Sequence, residues 1–351
     1  MDLIQWGKII PQGPHTAMAA SPLLPVQSAF SQHLLSVTKK TSSANLFAPR
    51  YWPTWIGFGV MWIVARLPYS LEMAIGSLLG KLMRLSRRRR FICGVNLELA
   101  FPELSENERE HLSGKVFASV GKGFIETALT WFGSDRKIRS IVEIKGLEHL
   151  RAAHATGQGI MLLGSHFVPI EICGRRLGLE YPFDTTYKPT HNAVFEYVMH
   201  HRRVKIYGGA IPVTDMRKIV KTVKSGGTIW YAPDQNYGLK GSTFVPFFGV
   251  QTATTMGTSK IARMANALVV PTFTIREPGN KGYTLHILPH LDNFPGDSPE
   301  EDTARIIKLI EEWARKYPDQ YLWIHSRYKD HPEGGNNRYE RYADEYPDKE
   351  F

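Results

Sequence analysis

Gly159-Ile-Met-Leu-Leu-Gly-Ser-His-Phe-Val-Pro-Ile-Glu171 is the stretch on which the reading turns. Its short apolar run, Ile160–Leu163, reads as a buried strand. The small residues Gly164 and Ser165 follow, and then His166. Pro169 suits the first turn of a helix, where its missing N–H costs nothing. His166 therefore stands where a strand hands over to a helix, with Glu171 in the first turns of that helix. A junction of this kind sets a titratable side chain at the open end of a sheet, beside a helix N-terminus that favours developing negative charge.

Working outward, the 351 residues suffice for one large α/β domain with an appendage. A hydrophobic share of 43% is ordinary for a folded protein and excludes a polytopic membrane protein. The net charge of +10 predicts an anionic partner, such as phospholipid, nucleic acid or an acidic protein. Cys93 and Cys173 alone supply neither a disulfide framework nor a Cys-based metal site, which fits a reducing compartment.

Residues 1–48 are rich in Ser, Ala, Gln, Thr and Pro and read as a loose extension. From Tyr51 to Ala65 runs YWPTWIGFGVMWIVA, fifteen residues without a charge. Its aromatic residues suggest a membrane interface. The run reads as a helix that spans the bilayer, if extended through Leu67, or as one buried in a single leaflet or in the core. Arg66, Lys81, Arg84 and Arg87–Arg90 follow. They predict contact with an anionic leaflet and a cytoplasmic position for the remaining chain.

Residues 91–133 carry helical periodicity in two halves separated at Pro102, with a capping box at Ser105–Glu108. Glu126, among Phe124, Ile125, Trp131 and Phe132, reads either as a polar group that supports a site or as a residue at the edge of the second apolar face. From residue 141 strands and helices alternate. Strands are expected at 141–144, 160–163, 183–187, 228–232, 268–275, 283–288 and 321–324. Helices are expected at 147–155, 170–179, 192–201, 216–224, 254–267 and from Ser298 to Lys316. The fold class is thus α/β, a mixed sheet flanked by helices. No Gly-rich phosphate loop is present, so nucleotide binding has no support.

A His with a carboxylate five residues on is weak by itself. With 13 His and 33 acidic residues in 351, about one such pair arises by chance. His166/Glu171, His191/Glu196 and His325/Asp330 all qualify. Only His166 has a strand before it and a helix after it. A general base needs a partner that fixes its tautomer, and Glu171 is placed to fold back and provide one. Asp234, in Pro233-Asp-Gln-Asn236, ends another strand and can share the cleft. The aromatic stretch Phe244–Gly249 is a candidate wall for an apolar slot. Lys188, Arg202, Arg203 and Lys205 are candidate phosphate ligands.

Taken together, these motifs resemble a family. His166-x-x-x-x-Glu171, Pro233-Asp-Gln235, Phe247-Phe-Gly249, and Tyr321-Leu-Trp-Ile-His325 with Arg327 and Lys329 stand in the order of the late acyltransferases of lipid A biosynthesis, the lauroyl-transferring type above all. Arg50–Trp55, Asn96–Pro102 and Glu126 are similar too. The resemblance covers roughly residues 48–340. It implies a glycerolipid-acyltransferase-like fold behind an N-terminal membrane-anchoring helix, located at the inner membrane with its catalytic domain in the cytoplasm. It also implies transfer of a fatty acyl chain, lauroyl by type, from acyl carrier protein to a hydroxyl of a Kdo-bearing lipid A precursor (Kdo2-lipid IVA). It requires no cofactor, metal or nucleic acid. By position, His166 and Glu171 match the catalytic pair, and Arg203, Asp234, Lys188 and Arg327 are the expected substrate-binding residues. Asn236 and Ser326 depart from the family, which usually carries an acid and an Arg there. The division that follows is an extension at 1–48, a membrane anchor with its basic juxtamembrane segment at 49–90, the acyltransferase domain at 91–340 and a tail at 341–351. Two other readings remain open. One is an acyltransferase for another membrane lipid; the other is a non-catalytic basic module that binds membrane surfaces.

Overall fold

A computed structural model describes residues 45–332 and 339–340. Most of the expected extension and the whole of the expected tail lie outside the described residues. Nine strands are described: β1 (Val142–Lys145), β2 (Ile160–Leu163), β3 (Phe183–Tyr187), β4 (Gly208–Pro212), β5 (Thr228–Tyr231), β6 (Ser242–Phe247), β7 (Val250–Thr255), β8 (Leu268–Arg276) and β9 (Tyr283–Ile287). Seven of them form one sheet in the order β1-β9-β8-β2-β5-β3-β4. The β8–β9 pair is antiparallel and every other pair in this sheet is parallel. The chain is therefore an α/β protein with a mixed sheet, as the alternation predicts.

The strand β2 lies in the sheet interior, paired on both sides, and all four of its residues are buried. Alternate side chains serve opposite faces, as strand geometry requires. Met161 and Leu163 join a core with Ile219, Ile261 and Ile307. Ile160 and Leu162 join a second core with Leu150, Ile172 and Leu177. Helices cover both faces. The helices α5 (Asp135–Ile141), α6 (Leu147–Ala155) and α7 (Ile170–Gly178) lie on one, and α9 (Met216–Lys224), α10 (Gly257–Ala265) and α11 (Pro299–Lys316) on the other.

Three of the sequence expectations change here, each for a local reason. The edge strand β4 is unforeseen, because Gly208-Gly-Ala-Ile-Pro212 has poor strand propensity. An added Cβ at Gly209 would lie 1.5 Å from Asp184 Oδ1, so that side chain would have to move. The hairpin β6–β7 replaces the expected start of a helix at Thr254, and its turn residues Phe248 and Gly249 both have positive φ. Finally, Tyr321–Ile324 is not a strand. It makes one antiparallel bridge, Phe167 to Tyr321, and otherwise runs as a turn against the residues after His166.

The N-terminal helices correct the reading of a spanning anchor. The apolar run forms α1 (Trp52–Val64), thirteen residues long. At 1.5 Å per residue it rises about 20 Å, short of the ~30 Å hydrocarbon layer. Among the described residues no helix is long and apolar enough to cross a membrane. The chain turns at Arg66–Pro68 into α2 (Tyr69–Met83), which packs on α4 (Glu106–Phe132). That crossing brings backbones together. A Cβ on Gly80 would lie 2.1 Å from the Phe117 carbonyl oxygen, and one on Gly121 2.2 Å from that of Gly76. Segment 49–90 is thus built onto the domain. Arg87–Arg90, expected as a juxtamembrane run, opens α3 (Arg87–Ala100) behind the N-cap Ser86, and Arg89 donates to the Ile324 carbonyl at 3.0 Å.

One face of α1 is covered and the other is not. Phe58 is buried among Trp131, Phe132 and Phe195. Trp52, Ile56, Val60, Trp62 and Ile63 are exposed, as are Leu71, Leu78 and Leu82 of α2 and Phe124 of α4.

Candidate active site

Two parallel strands carry the centre of the site. In their register Leu163 of β2 stands opposite Tyr231 of β5. His166 follows the first strand end by three residues and Asp234 follows the second by three. Residue 164 must be glycine, since a Cβ there would lie 2.2 Å from the Trp230 ring. Both oxygens of Asp234 go to His166. The backbone N–H of His166 donates to Oδ2 at 2.8 Å, and Nδ1 lies 2.7 Å from Oδ1. A carboxylate accepts, so Nδ1 carries the proton and Nε2 keeps a free lone pair. Asp234 is fully buried, while the His166 side chain is 25% exposed. Burial alone would raise the Asp234 carboxyl. The charge of His166 and the two bonds from it, with the charge of Arg327, outweigh burial and hold Asp234 below the usual carboxylate range.

The expected contact between Glu171 and His166 is not made. Glu171 opens α7, and its partners come from α8 (Ala193–Tyr207). Arg203 donates to Oε1, and the Tyr207 hydroxyl donates to Oε2 at 2.6 Å. Burial lowers the Arg203 guanidinium, but the charge of Glu171, the bond to it, and the Tyr207 and Tyr187 phenols together outweigh burial, and the net direction is up. A cation and a phenol on the neighbouring helix thus hold Glu171, and Asp234 takes the place beside the imidazole that the spacing assigned to it.

His166 and Glu171 still share a cavity. It has a volume of about 330 Å³ and is walled by Phe183, Met199, Tyr207 and Trp230, with Lys188 and Arg203 among its lining residues. A second groove of about 270 Å³ also reaches His166, Ile170 and Glu171. It is lined by Val120, Phe124, Phe167, Leu322 and Ile324, and Phe124 belongs to the exposed apolar surface described above.

Of the expected substrate-binding residues, Lys188 and Arg203 line the first cavity. Asp234 does not face it as a ligand; it is spent on His166. Arg327 is a further correction. It is buried, donates to the Ala253 carbonyl at 2.8 Å and to Thr254 Oγ1 at 2.6 Å, and lies 5.3 Å over the Phe247 ring. It fastens the hairpin to the C-terminal segment. Phe247 and Phe248, expected to wall the slot, instead pack in the core around Trp323.

The segment after Tyr321 supports the turn at His166. Leu322 N–H donates to the His166 carbonyl at 3.1 Å and Val168 N–H to that of Gln320 at 2.8 Å. Asn96 Nδ2 donates to the carbonyls of Trp323 and His325, and Asn96 Oδ1 accepts from the Tyr339 hydroxyl. His325 in this segment is pushed down to about 4, by burial first and then by the charge of His166. A base depressed when folded contributes stability above its ordinary 6.5, and that contribution is lost as pH falls toward about 4. We therefore expect about 1–2 kcal/mol of acid destabilisation between pH 7.5 and 5 to disappear in His325→Asn, read from denaturant midpoints.

Glu126 is not at the edge of a face. It is buried, and its Oε1 accepts from Arg276 Nε at 2.6 Å; Arg276 also donates to Ser119 Oγ at 2.7 Å. Sequence reading missed Tyr207, Trp230 and Arg276, because each acts through a contact distant in sequence. Among the described residues no group of three or more His, Cys, Asp or Glu is arranged to hold a metal ion.

Comparison with known proteins agrees on an enzyme class, the acyltransferases. The chain belongs to the bacterial lipid A biosynthesis acyltransferase family, whose profile matches residues 39–330. It is 42% identical over 299 residues to the lipid A biosynthesis lauroyltransferase of Escherichia coli (strain K12), covering 85% of this chain and 98% of that one. It is 38% identical over 299 residues to the lipid A biosynthesis palmitoleoyltransferase of the same organism, covering 85% and 97%. A likeness to the 1-acyl-sn-glycerophosphate acyltransferase structure from Thermotoga maritima has 10% identity and a TM-score of 0.35, and covers 72% of this chain and 98% of that one. It is too slight to carry an argument. Family membership implies a lipid A precursor as acceptor.

Proposed function

We propose that the chain transfers a lauroyl group from acyl carrier protein to a hydroxyl of Kdo2-lipid IVA, by direct attack. The observation that carries the reading is the His166–Asp234 pair at the meeting of two apolar cavities. Nε2 of His166 takes the proton as the acceptor oxygen attacks the thioester carbonyl. Asp234 holds the tautomer and steadies the imidazolium, as the acid of a triad does. The tetrahedral intermediate then collapses, the thiolate of the carrier leaves, and the imidazolium returns the proton to it. Glu171, clamped by Arg203 and Tyr207, shapes the wall between the two cavities. The first cavity, with Lys188 among its lining residues, takes the donor chain; the groove at Phe124 takes the chain that bears the attacking hydroxyl. The 42% identity to a lauroyltransferase favours lauroyl over palmitoleoyl. Mass spectrometry of lipid A from cells with and without this chain tests the reading. The expected result is one lauroyl group that depends on the chain, and an unchanged lipid A refutes it.

The same reading puts the chain at the inner membrane on its cytoplasmic side, with α1 lying in one leaflet. The exposed row Ile56, Val60 and Ile63 supports this placement. We expect Ile56→Glu/Val60→Glu/Ile63→Glu to shift the protein from the membrane pellet to the supernatant in high salt, where the wild type stays bound.

A further inference from the structure

The four cations that follow β3 do not act together. Lys188 and Arg203 line the cavity at His166, whereas Arg202 and Lys205 line a separate pocket of about 460 Å³ on another face of α8. Arg66 and Arg175 complete its basic lining, and Asp135 is the one carboxylate among its lining residues. That carboxylate is already spent: it accepts from Arg175 Nη2 at 2.6 Å, and the remaining Arg175 donors go to the carbonyls of Leu129, Thr130 and Gly133. Arg202 lies 4.7 Å over the Phe132 ring and Arg66 3.4 Å over the Trp62 ring. Among the described residues no carboxylate pairs with Arg66, Arg202 or Lys205. Burial and the charge of Arg175 both press the Arg202 guanidinium down.

We propose that this pocket is a phosphate monoester site, with Arg202, Lys205 and Arg66 as ligands and Arg175 as a fixed charge behind them. Planar guanidinium groups suit two oxygens of one phosphate. Trp62 lines the pocket at the last turns of α1, whose exposed apolar side would lie along the tails of a lipid carrying that phosphate. The site does not depend on the transferase reading, because binding is measured without turnover.

The test uses the full chain and two arms. One measures sedimentation with phosphatidylcholine vesicles carrying one lipid in five as phosphatidic acid, against the same fraction of phosphatidylglycerol. The other follows the thermal midpoint with inorganic phosphate. In the lipid arm the wild type should prefer phosphatidic acid, and Arg202→Gln/Lys205→Gln should weaken that binding by about fivefold per charge. Arg202→Lys/Lys205→Arg keeps both charges and should retain it. Lys281→Gln/Lys308→Gln removes the same charge elsewhere and should stay within about twofold of wild type. If only inorganic phosphate responds, and only in chains that keep both charges, the ligand is the free ion and the site stands. Equal losses in the two Gln pairs, loss in the charge-keeping pair, or no response in either arm overturns it.

Discussion

Asp234→Asn is expected to lower acyl transfer by about 10⁴-fold, the size of the loss when the acid of a triad becomes its amide. The amide can donate to Nδ1, which leaves the proton on Nε2 and no lone pair for the acceptor hydroxyl. The backbone N–H of His166 keeps an oxygen partner in the carbonyl of that amide, so the turn should remain folded. Glu171→Gln acts differently. It breaks the pair with Arg203 and loosens the cavity wall, a positional loss of about 10²-fold. It leaves the tautomer of His166 alone, so the shape of the pH–rate profile should persist at a lower plateau. Kinetics of both variants across pH separates the two roles. A profile reshaped by Glu171→Gln and left unchanged by Asp234→Asn would return the orienting role to Glu171.

The second large effect is on stability. Arg276 and Glu126 pair inside the protein, where the side chains are 8% and 2% exposed. Burial lowers the Arg276 guanidinium, yet the charge of Glu126, the bond to it, and the Tyr283 and Tyr69 phenols together reverse this and raise it. Arg276→Met strands a buried carboxylate and should cost about 3–5 kcal/mol. Replacing both partners, as Arg276→Met with Glu126→Leu, should recover most of that loss, because two apolar groups leave no unpaired charge. Denaturant unfolding of the two variants checks both statements. The pair joins α4 to β8, so the single variant should also loosen the groove beside Phe124.

Much of the architecture was legible because its signals are local. The buried run Ile160–Leu163, Pro169 and the capping residues Ser105 and Ser298 fix their elements within a few residues of themselves. The edge strand at Gly208 was not legible, since Gly209 meets Asp184 of the neighbouring strand and Gly208 meets Pro182 and Phe183. Tyr321–Ile324 has the composition of a strand, but its backbone partners are His166 and Phe167, so it serves the site instead of the sheet. The spanning reading failed on length: an apolar run records what solvent it avoids, and the turn at Arg66–Pro68 and the glycine crossing of α2 and α4 show that the helix stops short.

In the site, position marked His166 and Asp234, both set at strand ends. Their pairing was hidden, because spacing along a chain favours the nearer carboxylate. Glu171 is five residues from His166 and Asp234 is sixty-eight, yet parallel strands in register bring the distant one to 2.7 Å. Arg327 misled for the opposite reason. The resemblance made it a substrate-binding residue by position, but its donors serve the hairpin.

Deprotonation of the acceptor hydroxyl by Nε2 of His166 is tested by transfer from lauroyl-acyl carrier protein to Kdo2-lipid IVA by purified wild type and His166→Gln, with the product read by mass spectrometry. The wild type should give a product one lauroyl heavier, and a folded His166→Gln a rate at least about 10²-fold lower. Transfer by His166→Gln at a rate near that of the wild type would contradict it.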